Sequence, residues 1–535
     1  MNRSLIVRKS IIMKVLQELF VLIICCFSIE ILYAQPGTLD KSFGDNGIAL
    51  TKIGPRDNSI FSLAIQQDAK IISAGGIYNG SNYEFALARY DTNGVLDQGF
   101  GLNGIVTTNI SPRDNCAFSI IIQADGKLVL AGYAFNGSYY DFALARYNNN
   151  GSLDSTFGLN GIVITSFGKT SIIYSSAFES DGKIIAVGCL GSPYSPGKNI
   201  FALCRYNIDG HLDETFGTGG KVLTELGSVD DVAKSVKIRK NGKIVVCGWS
   251  YKGLEPNFAL VQYNYDGTLD ETFGNEGSIV TSIPLTSSAW SLAIQNNEKI
   301  IVVGDSYDGL HENFTLVRYN SNGAIDTLFG SKGSVVTKIG QGDNSARAVN
   351  LQLDGKILVS GYSLDSNLKK DFALVRYDSI GNLDESFGLK GIVTTNITPF
   401  DDLGYSSIIQ ANGKIIIGGE AFYNDSCSYF TLAQYLLGFN TGIIEANLSK
   451  NVFYIYPNPF YDRITLKYNL TTDSCIYIKL IDIQGKVLNT FIDNQIQRRD
   501  QSMKLIFNKD LAAGFYYLIM STENQTVSIK IIKVN

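Results

Sequence analysis

Only two histidines, His211 and His311, occur in the 535 residues, and they fall in different copies of the repeat described below. With two histidines so placed, neither a histidine-based triad nor a multi-histidine metal site is expected on that inventory. Charged residues are scarce at 18%, the net charge is −5, and no basic stripe offsets it, so the composition excludes a nucleic-acid partner. Helical periodicity of useful length is missing after residue 34, which leaves an all-β reading. The cysteines Cys116, Cys189, Cys204, Cys247, Cys427 and Cys475 contain neither a CxxC spacing nor a Cys/His pairing, so no metal site is expected of them. Cys204 stands where other repeats carry Ala88, Ala145 or Val375, as a small apolar residue would.

What is abundant is apolar and aromatic: 45% hydrophobic residues, with 29 tyrosines and 29 phenylalanines, enough for a large buried core. The first 34 residues stand apart. Arg3, Arg8, Lys9 and Lys14 precede the apolar run from Leu19 to Phe27, and a short stretch ending at Ala34 leads into Gln35. This reads as a signal peptide over residues 1–34, with no transmembrane span kept afterwards.

Three motifs recur through the following 400 or so residues. Leu-Asp-x-x-Phe-Gly starts at Leu39, Leu96, Leu153, Leu212, Leu269 and Leu383, and as Ile-Asp-Thr-Leu-Phe-Gly at Ile325. Phe-Ala-Leu-Ala-Arg-Tyr and its variants start at Phe85, Phe142, Phe201, Phe258, Phe314, Phe372 and Phe430. Asp-Gly-Lys or Asn-Gly-Lys lies between them, at Asp125, Asp181, Asn241, Asp354 and Asn412, with degenerate forms ending at Lys70 and Lys299. Each unit reads as four short β-rich strands, for example Gly104–Thr108, Phe118–Gln123, Lys127–Tyr133 and Phe142–Tyr147, with the Asp-Gly pairs as tight hairpins. Such a unit exposes two apolar faces and must stack on its neighbours. Seven near-equal copies without a polar capping repeat favour radial closure into a seven-bladed β-propeller over residues 35–436. The array begins at a first strand, Ile48 to Ile53, and ends at a fourth, Phe430 to Tyr435, so pairing those two segments would hydrogen-bond the ring shut.

Together these motifs resemble the delta-60 repeat of bacterial surface proteins, over about Gly37 to Tyr435. The resemblance implies the repeat architecture and no common activity.

After a linker over residues 437–450, the last segment, 451–535, carries Tyr456-Pro-Asn-Pro-Phe460 and several alternating stretches, as expected of a small immunoglobulin-like β-sandwich. Its Tyr-Pro-Asn-Pro, the Asp482-Ile-Gln-Gly-Lys hairpin, Leu511-Ala-Ala-Gly-Phe-Tyr and the terminal Ser528-Ile-Lys-Ile-Ile-Lys resemble the type A sorting domain of the type IX secretion system. That resemblance implies export through the type IX machinery to the outer cell surface, with removal of the domain on the way.

The motif aspartates, such as Asp97 and Asp154, point seven ways around a ring, so they are expected to cap turns and pair with backbone amides or with the nearby motif arginine, which glutamine replaces at Gln262 and Gln434. Function is expected on the face whose loops vary. Its candidate residues are Asp57, Tyr78, Tyr83, Asp114, Tyr139, Tyr140, Trp249, Tyr251, Tyr307, Asp343, Tyr362 and Tyr423. Aromatic faces beside carboxylates are the chemistry of glycan or protein recognition, so a non-enzymatic binding or adhesion scaffold without cofactor is expected. The competing expectation is a secreted polysaccharide-acting enzyme with carboxylates on that face.

Overall fold

The computed structural model describes residues 35–191, 198–227, 229–253, 255–283, 285–352, 354–424, 426–438, 446–448, 451–469, 474–481, 487–497, 500–507, 511–522 and 526–534. The signal peptide read at 1–34, most of the 437–450 linker and the hairpin at 482–486 lie outside these residues.

Seven four-stranded antiparallel sheets follow one another. Blade one consists of Asn58–Ile65, Ile71–Tyr78, Tyr83–Tyr90 and Ile105–Thr108, and blade two of Asn115–Ile122, Leu128–Phe135, Tyr140–Tyr147 and Ile162–Thr165. Blades three to six repeat the pattern from Ser171, Asp231, Ser287 and Asn344. Blade seven joins Asp402–Ile409, Lys414–Asn424 and Cys427–Leu436 to Ile48–Thr51 from the start of the array. Thr51 pairs with Phe430 and Ile48 with Ala433, so the two ends close the ring as their strand pattern predicts. The first strands of the blades also touch their neighbours in one unbroken cycle, including blade seven against blade one, which makes them the innermost strands.

The strands read from sequence are present, but the frame differs. The short strand exemplified by Ile105–Thr108 was expected to open its own blade; it is the outer strand of the preceding one, paired with Phe85–Ala88. The reason is the Leu-Asp-x-x-Phe-Gly turn, which folds back on the strand before it through a Tyr90–Leu96 bridge. That motif is therefore a connection within a blade rather than a crossover, and the crossovers are the loops carrying Arg56-Asp57-Asn58 and its equivalents. The two loop faces keep the membership read from sequence, because both changes preserve strand direction.

The middle strands are buried along almost their whole length, which is why they read as unbroken apolar runs. Each core lies between blades. Ile72, Phe85 and Leu87 of blade one pack with Ala117, Leu128, Leu130 and Tyr147 of blade two, and Ile60 and Ala86 pack with Ile416, Phe430 and Leu432 across the closure.

The motif residues build one repeated network, shown by blade two. Asp154 accepts from the backbone N–H and hydroxyl of Thr156 and pairs with Arg146 Nε at 2.7 Å and Lys127 Nζ at 2.9 Å. These partners outweigh its partial burial and hold the carboxyl well below the usual range. The Arg146 guanidinium also covers the Phe157 ring at 4.5 Å and donates to the Ile208 carbonyl in the turn that ends blade three's third strand. Finally, the Tyr147 hydroxyl donates to Thr108 Oγ1 of blade one at 2.8 Å. The motif aspartates thus cap turns and pair with the Gly-Lys lysine or its equivalent in all seven copies, and with the motif arginine in the five that keep it, Gln262 and Gln434 replacing it beside Asp270 and Asp40.

The C-terminal segment forms two four-stranded antiparallel sheets, one from 446–448, 451–456, 463–469 and 500–506, the other from 474–481, 487–497, 514–522 and 526–533. Ile455, Leu466 and Leu505 of the first share one core with Ile478, Leu518 and Ile529 of the second. In the Tyr-Pro-Asn-Pro motif, the Asn458 side-chain oxygen accepts from the Ile532 N–H at 2.8 Å, tying the start of the module to its last strand.

Candidate functional site

Every inner strand carries a bulge at the same place. In blade one Ile60 pairs with Gly75 and Ser62 with Ala74, leaving Phe61 without a partner. The same interruption omits Phe118, Tyr174, Lys234, Trp290, Arg347 and Tyr405 in the other six blades. The cause is the glycine opposite. A Cβ on Gly75 would lie 1.8 Å from the Ser59 carbonyl oxygen, and one on Gly304 would lie 1.9 Å from that of Ser288. Gly132, Gly188, Gly248, Gly361 and Gly419 have the same constraint. Only a residue without a side chain admits this close approach.

The seven bulge residues meet in a ring. Phe61 lies 4.9 Å from Phe118 and 5.2 Å from Tyr405 between ring centroids, and Phe118 lies 5.3 Å from Tyr174. Lys234 Nζ sits 3.1 Å from the Tyr174 centroid and 4.9 Å from that of Trp290, whose indole is covered by the Arg347 guanidinium at 3.7 Å. Across the remaining junction the Arg347 charge acts on the Tyr405 phenol. Contacts that pass through all seven blades in order can only encircle the axis. The ring is thus an aromatic arc interrupted by two cations flanking one tryptophan.

A second tier, nearer the variable face, is set by the residue after each glycine: Gly76, Tyr133, Cys189, Trp249, Asp305, Tyr362 and Glu420. Trp249 meets Trp290 edge-on at 5.1 Å, and the Arg347 Nη2 donates to the Tyr362 hydroxyl at 2.9 Å. The two carboxylates are held alike, each by a serine of the next blade. Ser345 donates to Asp305 at 2.5 Å, and Ser59 donates to Glu420 at 2.5 Å, with the Tyr405 hydroxyl adding a second bond to Glu420 at 2.7 Å. Burial pushes Asp305 up to about 7 and Glu420 above its ordinary range, while Arg347 and the hydrogen bonds pull the other way. Burial likewise drives Lys234 well below the usual lysine range. Lys234 has no hydrogen bond or ion pair among the described residues, and Arg347 Nε is buried without a hydrogen-bond partner.

Of the residues expected to form the site, only Trp249 and Tyr362 reach this axial cluster. Asp114 accepts from the Tyr83 backbone N–H at 3.0 Å and Asp343 from that of Glu312 at 3.1 Å. Asp230 and Asp401 do the same for Asn199 and Lys370, so these four aspartates staple their crossovers to the preceding blade. Asp57 takes the Tyr83 hydroxyl at 2.7 Å, and Tyr83 packs edge-on against Tyr78 at 5.4 Å. Tyr140 packs against Tyr133 at 4.7 Å, which connects blade two's loop to the aromatic arc through Phe118. Tyr139 stays on the loop of its own blade, and Tyr251, Tyr307 and Tyr423 lie at or near the ends of the second strands of theirs, Tyr423 being 64% exposed.

The axial ring and the two carboxylates are absent from the residues read out of the sequence. Their signal is nonetheless there: each ring residue lies fourteen positions ahead of the recurrent glycine, in a column that varies while its flanks repeat. Among the described residues no group of three or more His, Cys, Asp or Glu side chains is placed to hold a metal ion, and no helix is long and apolar enough to cross a membrane.

Six segments, 66–100, 123–157, 179–216, 239–273, 295–329 and 352–387, match the family model described as domain of unknown function (DUF5122) beta-propeller. In that frame blade seven's copy is divided between the two ends of the array by the ring closure. Residues 454–534 match the secretion system C-terminal sorting domain. No curated protein matches the chain. Among solved structures, a protein of unknown function from Dyadobacter fermentans is similar at 8% identity and a TM-score of 0.42, covering 73% of this chain and 98% of its own. The polysaccharide lyase Uly1 is similar at 10% identity and a TM-score of 0.41, covering 77% and 94%. A GH43 endo-arabinanase from Bacillus licheniformis reaches 10% identity and a TM-score of 0.29, covering 59% and 92%. Likenesses of this size bear on neither activity nor ligand. On its repeats and its tail, the chain is a DUF5122 β-propeller repeat protein that carries a type IX sorting domain and is exported to the cell surface or beyond it.

Proposed function

We propose that this exported propeller is a non-enzymatic binding scaffold whose ligand is a glycan, held at the axial cluster of the variable face. The observation that carries the reading is the axial ring itself. Its positions are equivalent in all seven blades, yet they hold Phe, Phe, Tyr, Lys, Trp, Arg and Tyr, while the motif positions around them repeat. A fixed scaffold with one varied, convergent column is how a repeat fold builds a single site. Aromatic rings beside hydrogen-bonding groups suit a sugar, whose flat faces stack while its hydroxyls bond. A glycan array probed with the full chain tests this. Trp290→Leu is expected to lose tenfold or more of any binding found, and binding indifferent to Trp290 would remove the axis as the site.

The enzyme reading is favoured by one observation, the buried Asp305 with its pKa near 7, which suits a general acid. Polysaccharide cleavage abolished by Asp305→Asn, with binding kept, would establish it.

A further inference from the structure

We propose that the axial site selects an acidic glycan, whose carboxylate or sulfate group sits against Lys234 and Arg347 while a sugar ring lies on the neighbouring aromatics. This deepens, and rests on, the glycan-binding reading above.

The chain as a whole is acidic, yet its axial ring contains two basic residues and no acidic one. Both lie over the same indole, 4.9 and 3.7 Å from its centroid, and the Arg347 charge makes Lys234 less willing to carry its own. Two cations placed this close without an ion pair are costly unless something negative joins them. The molecule's own carboxylates do not supply it. Asp305 feels the Arg347 charge but is committed to Ser345 and forms no ion pair with it, and Glu420 is occupied by Ser59 and Tyr405. Glu312, also within the field of Arg347, forms no ion pair with it among the described residues, and desolvation and the Asp343 charge raise its pKa. Among the described residues, Arg347 therefore keeps its Nε donor unused in a buried position, and Lys234 is held only by the faces of Tyr174, Trp249 and Trp290. An incoming anion relieves the repulsion, satisfies the unused donor and favours the ammonium form of Lys234. Trp249 and Tyr362, set one tier nearer the variable face, give the sugar ring that carries the anion a surface to stack on.

The chain's only two tryptophans are Trp249 and Trp290, so intrinsic tryptophan fluorescence reports this site alone. The full chain is titrated with polygalacturonate, dextran sulfate and neutral dextran. A saturable fluorescence change with at least one acidic polymer, tenfold or more tighter than with dextran, is expected, and comparison of the two acidic arms tells carboxylate from sulfate. Lys234→Met and Arg347→Met are each expected to weaken the acidic polymer tenfold or more, with the unfolding midpoint checked for each. Should either variant fail to fold, Arg347→Lys, which keeps the charge and loses the planar fork, is expected to retain part of the binding. Equal response to dextran and the acidic polymers, or acidic binding unchanged in the variants, overturns the proposal while leaving glycan binding intact. If no polymer and no arrayed glycan binds, the glycan reading falls with it.

Discussion

The Tyr90 hydroxyl donates to Thr51 Oγ1 at 2.8 Å, joining blade one to the strand that the chain's first residues contribute to blade seven. It is one of seven such bonds, the other six lying between blades that are consecutive in sequence, as with Tyr147 and Thr108. A closed ring makes all seven junctions equivalent. Tyr90→Phe is therefore expected to cost about 1 kcal/mol, the same as Tyr147→Phe, for the loss of one buried hydrogen bond. Urea unfolding measures both. A neutral Tyr90→Phe beside a destabilising Tyr147→Phe would mean that the ring is open in solution.

Blade four exchanges two residue types that the other blades keep apart. Arg239 stands where Gln66, Gln123, Gln295, Gln352 and Gln410 stand, and Gln262 where Arg89, Arg146, Arg205, Arg318 and Arg376 stand. In blade two those positions meet, Arg146 Nη1 donating to Gln123 at 3.4 Å, and blade seven tolerates glutamine at both, with Gln434 donating to Gln410 at 2.6 Å. Gln262→Arg alone puts two guanidiniums in one buried place and is expected to cost about 3 kcal/mol. The double change Arg239→Gln with Gln262→Arg rebuilds the common arrangement and is expected to return within about 0.5 kcal/mol of the parent, a coupling that a double-mutant cycle measures.

How much of this was readable follows from where the signal lies. Tyr147 and Asp154 recur because each meets a partner in a repeated turn or strand, so blade, hairpin and closure were all legible. The frame was not, because the four-residue strand Ile105–Thr108 carries no side-chain pattern that names its partner. Phe61 and its equivalents escaped because a bulge breaks the two-residue alternation that marks which way a side chain points. Asp114 and Asp343 were read as site residues because an exposed loop carboxylate looks the same in sequence whether it faces a ligand or caps a backbone N–H.

Asp305 sets a pH dependence. In the folded chain it keeps its proton up to about pH 7, whereas in the unfolded chain it ionises near its ordinary value of 3.8. The stability it contributes is therefore complete at low pH and fades as the pH rises from about 4 to 7. Asp305→Asn, which stays neutral, is expected to gain on the parent across that window and to hold a constant difference above pH 8. Thermal midpoints of both proteins at intervals from pH 4 to pH 8 test it. A difference that does not move with pH removes Asp305 as a titrating group.

Asp270 runs the other way. Burial, the largest single influence, pushes its carboxyl up, but Lys243, Thr272 and Gln262 together outweigh it and hold the carboxyl down to about 2. Its stabilisation is present above about pH 4 and is lost as the pH falls toward 2. Asp270→Asn is expected to lower the unfolding midpoint at pH 7 and to have little further effect at pH 2, as the same melts extended downward would record.

The glycine opposite each bulge is what aims the ring residue at the axis, so changing one should move the site before it unravels the blade. A Cβ at Gly304 meets the Ser288 carbonyl oxygen at 1.9 Å, a backbone atom with no easy retreat, next to the bulge that carries Trp290. Gly304→Ala is expected to cost about 1–3 kcal/mol through this overpacking and to shift the tryptophan emission as Trp290 is displaced. Gly126→Ala is the contrast. Its hairpin glycine has φ of +86° but nothing within 4 Å of an added Cβ, so it is expected to cost about 1 kcal/mol in backbone strain and leave the emission unchanged. Equal emission shifts from both, or none from Gly304→Ala, would break the link between that glycine and the axial site.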